Sequence, residues 1–131
     1  MDGKRMRGTG RGRQTRRILA RGGIGVAQRL NDALGGWPGV KITPMFGRWG
    51  YSVGQTLFGC FPLKAKEHDL WVRLEPADQA RALKTPGIVP HRRFGARGWI
   101  ECRVESPGDV TRARRWLRRA YESVTSRPER D

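Results

Sequence analysis

At 131 residues the chain has room for one domain with one modest core, and not for two. Its 27 Lys and Arg stand against 12 Asp and Glu, a net charge of +15 that favours polyanions or anionic surfaces as partners over acidic ones. No apolar run approaches the length of a membrane span, and the basic, acid-poor N-terminus lacks the apolar stretch of a secretory signal, so the cytoplasm is the expected location.

The charge is uneven: residues 1–30 carry a net +8, residues 31–90 a net +2 and residues 91–131 a net +5. Of the 27 basic residues 22 are Arg in a Gly- and Ala-rich chain, a bias that genome composition also produces, so part of this charge is expected to be solvated surface. Cys60 and Cys102 lack metal-motif spacing with each other or with His68 and His91; they are expected to be small buried hydrophobes, with no metal site.

In chain order, residues 1–22 form a Gly/Arg tract with too few apolar groups to offset its ordering entropy. They are read as a disordered basic arm, residues 23–126 as a single domain and residues 127–131 as a tail. Ile24, Ala27, Leu30 and Leu34 recur at helical spacing until Gly35, Gly36 and Pro38 stop the helix. The "GGIGVA" segment has half a dinucleotide fingerprint, without the strand, third glycine or ribose acid that would give it meaning. From Lys41 to Glu75 the period falls to two. "RWGYSV" and "TLFGCFPL" flank Gly54-Gln55, a hairpin signal, and "HDLWVRLE" puts Leu70, Val72 and Leu74 on one face with Trp71 and Arg73 on the other. A short helix follows, opened by Pro76 with Asp78 in its first turn and closed by Pro86-Gly87. "GWIECRV" alternates Ile100, Cys102 and Val104 with Trp99, Glu101 and Arg103. In the last helix Ser106 caps, Pro107 opens and Asp109 completes a capping pair. Val110, Ala113, Leu117, Ala120 and Val124 make its apolar stripe. The pattern helix–strands–helix–strands–helix specifies an α+β fold: two layers, an antiparallel sheet with helices on one face.

That layout predicts two functional surfaces. If the Leu70 and Ile100 faces meet the helices, then Trp71, Arg73, Trp99 and Arg103 project from the opposite face, with Trp49 and Tyr51 as further candidates. Indoles beside guanidinium groups stack bases or planar ligands and pair with phosphates. Such aromatics equally pack under a loop, under the arm, or in a homodimer. The second surface is basic. Arg92, Arg93 and Arg97 crowd around Gly95-Ala96-Arg97-Gly98, and Arg112, Arg115 and Arg119 run along one side of the last helix. A Gly-x-x-Gly with a basic filler is the form of the KH backbone clamp, but that loop joins two helices and this one enters a strand. It is therefore read as a tight turn with an anion-attracting rim. Neither histidine has a nucleophile at motif spacing, and no nucleophile elbow or phosphate-binding Gly-Lys-Ser/Thr occurs, so neither catalytic residues nor a cofactor are expected.

Met45-Phe46-Gly47-Arg48-Trp49-Gly50-Tyr51 resembles the opening strand of TfoX N-terminal-type domains. "LWVRLEPADQARAL", "PGIVPHRRFGARGWIECRV" and "WLRRAYESV" resemble the MmcQ/YjbR family, through Pro86, Pro90, Trp99, Ala120 and Tyr121. The similarity runs from about Val26 to Val124 and rests on the order of several loose motifs. It implies a compact α+β fold, often labelled DNA-binding, with no catalytic residues to carry over; the second domain of full competence regulators has no counterpart here. The resulting expectation is a small non-enzymatic domain that binds nucleic acid through phosphates with little sequence specificity. The alternative is a small-molecule or protein-interaction module using the Trp/Arg sheet face.

Overall fold

The computed structural model describes residues 25–126. The arm, the tail and Ile24 lie outside the described residues. The elements are α1 (Val26–Gly35), β1 (Val40–Met45), β2 (Arg48–Val53), β3 (Thr56–Pro62), β4 (Asp69–Arg73), α2 (Pro76–Leu83), β5 (Ile88–Pro90), a one-turn 3₁₀ helix (Gly95–Arg97), β6 (Trp99–Arg103) and α3 (Pro107–Thr125). Six antiparallel strands form one sheet in the order β1-β2-β3-β4-β6-β5.

Sequence chemistry accounts for most boundaries. The Ser106 hydroxyl accepts from the Asp109 amide while the Asp109 carboxylate accepts from the Ser106 amide, so α3 starts with the reciprocal cap its sequence predicts. Gly54, at φ 60°, turns the β2–β3 hairpin, and Pro76 opens α2. β1 and β5 are the two edge strands. β1 alternates only over its first half, where Val40 and Ile42 pack against the core between exposed Lys41 and Thr43, and Pro44 follows; the three-residue β5 is too short to show a period.

The helical layer rests on one face of the sheet. Leu70, Val72, Ile100 and Cys102 point into it, as do Tyr51 and Phe58, and the α3 residues Val110, Ala113, Leu117 and Ala120 meet them together with Leu30 and Leu34 of α1. At the β2–β3 bulge, Phe58 and Gly59 share the place opposite Tyr51, which lets the Phe58 ring reach Tyr121 edge-on. Gly59 permits the closest approach. A Cβ there would stand 2.9 Å from Leu117 Cδ2, so the bare backbone is what lets α3 lie directly on β3. Buried hydroxyls are paired: Tyr51 donates to Asn31 Oδ1 (2.9 Å) and Tyr121 to the Pro38 carbonyl (2.7 Å).

Two expectations fail here. Tyr51 is fully buried in the core, and Trp49, which pairs with Phe61, shares its face and packs against that core. Spacing of two kept the pair together, as expected, but cross-strand register turned both toward the helices. Trp49 is therefore no part of the open sheet face.

Candidate functional site

The sheet face away from the helices is built from alternating positions of β2, β3, β4 and β6. Register aligns Gly50 with Cys60, Cys60 with Trp71 and Trp71 with Glu101 across it. Its floor is a polar knot around Arg48. The guanidinium lies 3.7 Å above the Trp71 ring centroid. Nη1 pairs with Asp69 Oδ2 at 3.2 Å, Nε donates to Cys60 Sγ (3.3 Å), and Nη2 donates to the carbonyls of Cys60 (3.3 Å) and Asp69. With a side chain only 13% exposed and these donors spent, Arg48 stitches three strands together and has little left for a ligand. Trp71 is engaged likewise: Arg48 covers one ring face, His91 meets it edge-to-face at 4.3 Å, and its Nε1–H donates to Glu101 Oε2 at 3.2 Å.

Above this floor lies an apolar groove of about 300 Å³, walled by Met45, Phe46 and Leu57 on one side and Phe94, Arg97 and Trp99 on the other. Phe46 is the most telling residue. Together with Gly47 (φ 76°) it forms the two-residue β1–β2 turn, adopts φ 49° and is 96% exposed. A type I′ turn favours Asn, Asp or Gly at both positions. A phenylalanine there is strained by about 1–2 kcal/mol and hydrates its ring as well. Folding does not explain that choice. Met45 curls over Gly50, where a Cβ would stand 2.4 Å from its sulfur.

The other wall is the loop from Pro90 to Gly98, which a histidine holds. His91 Nδ1 accepts the amides of Arg93 (3.0 Å) and Phe94 (3.1 Å), placing the ring proton on Nε2, and its ring stacks on Phe94 at 5.1 Å. Burial pulls His91 below its ordinary imidazole pKa, with the charges of Arg48, Arg92 and Arg93 adding to the effect and Glu101 opposing it. Gln79 of α2 donates to the Gly95 carbonyl (2.8 Å), and Gly98 at φ 97° sits where a Cβ would be 2.3 Å from the Leu74 carbonyl oxygen. The Gly-x-x-Gly segment is thus a turn that docks on the chain after β4. Its glycines serve that approach and not a backbone clamp.

The sequence-predicted site residues divide. Trp71 and Trp99 face the groove, Trp71 as covered floor and Trp99 as wall. Arg73 stands beside Trp99 on the same face but outside the groove. Arg103 turns to Glu105 and lines a different cavity. Arg92, Arg93 and Arg97 share the His91 loop, are exposed, and form no ion pair among the described residues. The arginines of α3 belong to the other layer: Arg112 pairs with Asp109, Arg119 with Asp78, and Arg115 lies 5.7 Å from the Trp116 centroid. The six arginines thus do not form one strip. Phe46, Phe94, Arg48 and His91 were not singled out from the sequence; the Phe46-Gly47 dipeptide in a turn position was the available clue.

Chemically this face offers contact surface and cations. Burial raises the Cys60 thiol in spite of Arg48, and burial with Glu101 pushes Cys102 up to about 12, so both sulfurs stay protonated at neutral pH. Among the described residues no group of three or more His, Cys, Asp or Glu could hold a metal ion, and no helix is long and apolar enough to cross a membrane.

No family model and no curated protein matches the chain. The crystal structure of Deinococcus radiodurans protein DR2400, a DUF419 protein, superposes with a TM-score of 0.66 at 14% identity, over 82% of this chain and 83% of that one. The likeness establishes a shared α+β fold.

Proposed function

We propose that the domain binds single-stranded nucleic acid on its open sheet face, bases stacking on Phe46, Phe94 and Trp99 and phosphates meeting Arg92, Arg93 and Arg97. The observation that carries this reading is an exposed aromatic groove with Arg97, which has no ion pair among the described residues, in its wall and the exposed Arg92 and Arg93 on the same loop. Stacking on aromatic platforms is sequence-tolerant and requires bases free of a duplex, so single strands are favoured over double. The net charge of +15 adds long-range attraction. Motif order and the DUF419-type fold together support an MmcQ/YjbR-like assignment, which by itself says nothing of ligand.

Anisotropy titration of a fluorescent single-stranded oligonucleotide against a duplex, over a range of salt, tests it. The single strand binds tighter, and affinity falls steeply with salt. Replacing Arg92, Arg93 and Arg97 by Gln lowers the log–log salt slope by about 2, from about 0.7 per lost phosphate contact. A flat salt response, or equal affinity in the folded triple variant, rejects the reading. The groove's volume also suits a single planar ring system, which supports a second reading as a small-molecule pocket. Chain length separates the two: a pocket saturates with a mononucleotide, whereas the nucleic-acid face gains affinity with each added nucleotide.

A further inference from the structure

On the opposite layer, between α2 and α3, Arg81, Thr85, Arg115, Trp116 and Arg119 line a cavity of about 360 Å³. Asp78 organises it from below. This carboxylate, on a residue only 8% exposed, accepts Arg119 Nε at 3.2 Å and Nη2 at 2.9 Å and also pairs with Arg81. A guanidinium has five N–H donors, so Arg119 keeps three after this side-on pairing and Arg81 keeps four. Arg115 has no acidic partner among the described residues, and the Thr85 hydroxyl has no hydrogen bond among them. Three cations stand over the one carboxylate they contact, a local charge of +2; Glu122, whose charge also reaches Arg119, is offset by its own pair with Arg118. The Trp116 indole, nearly buried, gives the site an apolar wall, and a neighbouring cavity of about 380 Å³ shares Thr85, Arg115 and Trp116.

That charge decides the ligand class. A phosphomonoester carries close to two negative charges at neutral pH and three strong acceptor oxygens, whereas a phosphodiester carries one. We infer that this cavity is a site for a small-molecule phosphomonoester, its dianion held by Arg115, Arg119 and the Thr85 hydroxyl with its organic group against Trp116. Asp78 is a positioning residue: it fixes two guanidiniums, and its charge is offset by the pair it holds. The inference is independent of the nucleic-acid reading, which uses the other face of the sheet.

Isothermal titration calorimetry of the full chain at fixed ionic strength tests it, with inorganic phosphate, phenyl phosphate and dimethyl phosphate as probes. Phenyl phosphate binds saturably and at least about tenfold tighter than the diester, the difference being about one charge-assisted hydrogen bond. Arg115→Gln, an exposed position whose change leaves the fold intact, weakens phenyl phosphate by about tenfold, and Thr85→Val weakens it less. Arg97→Gln on the other face leaves it unchanged. Equal binding of phenyl phosphate and dimethyl phosphate, no saturable binding of phenyl phosphate, or the same loss in Arg97→Gln as in Arg115→Gln overturns the inference. A 5′-phosphorylated oligonucleotide that needs Arg115 while phenyl phosphate does not bind also overturns it, by assigning the site to a polymer end.

Discussion

The two faces of this one sheet obey opposite rules. Toward the helices, Gly59 is bare so that Leu117 can press in, every large side chain has a neighbour, and buried hydroxyls find carbonyls. On the open face Gly50 is bare so that the flexible Met45 can lie across it, Phe46 stands in solvent, and the dense packing centres on Trp71 between Arg48 and His91. The first face was built by folding. The second holds apolar groups in positions where folding gains nothing from them, which is what a contact surface requires.

The largest expected contrast is a truncation on each side. Leu117→Ala removes a fully buried side chain and leaves a cavity, lowering unfolding free energy by about 2–5 kcal/mol. Phe94→Ala, 39% exposed at the groove wall and stacked on His91, costs about 1–2 kcal/mol and removes one stacking platform. Urea melts of both proteins measure the ratio. Similar losses would mean that the open face is itself core, covered by something outside the described residues.

Glycines sharpen the comparison at the next level down. In Gly59→Ala the new methyl meets Leu117 at 2.9 Å and the Trp71 carbonyl at 3.3 Å, with no way out, so overpacking costs about 1–3 kcal/mol. In Gly50→Ala the clash is with the end of Met45, which swings into solvent; stability changes by less than about 1 kcal/mol, while the groove is remodelled and ligand affinity drops. Smaller again, and of opposite sign, is Phe46→Asn. Asparagine suits φ 49° and hydrates well, so the variant gains up to about 1 kcal/mol in a thermal melt and binds oligonucleotide more weakly. Unchanged binding in that more stable variant would remove Phe46 from the site.

How much of this was legible beforehand differs between the layers for a physical reason. The helical layer was readable because periodicity reports burial: the α3 stripe, the β4 and β6 alternation and the Ser106–Asp109 cap all speak through local sequence. The open face depends on register between strands, which local sequence does not encode. Trp49 and Trp71 look equivalent as aromatics in alternating strands, and only pairing through β3 puts one inside and one outside. The arginines of α3 are at one-face spacing, but Asp78, the partner of Arg119, lies 41 residues away from it, so their separation from Arg97 could not be read from charge. Gly95 and Gly98 were read correctly as turn residues, since the strand that follows them is a local signal.

The smallest effect concerns the joint between the faces. His91 holds the groove's basic loop by accepting two amides at Nδ1, a role only the neutral ring can fill. Its folded pKa is lowered from the ordinary 6.5, so the unfolded chain takes up the proton first. The contribution to stability is therefore complete above pH 6.5 and is lost as pH falls from there through the folded pKa. His91→Asn keeps an acceptor oxygen able to form an Asx turn with the same amides and cannot titrate. Thermal melts from pH 7.5 to 5 should show a decline in the parent steeper than in this variant, while Leu117→Ala keeps the parent's slope because its defect lies on the other side of the sheet. Parallel curves for the parent and His91→Asn would mean that the loop survives protonation of its histidine, held by Gln79, Gly98 and its own backbone hydrogen bonds.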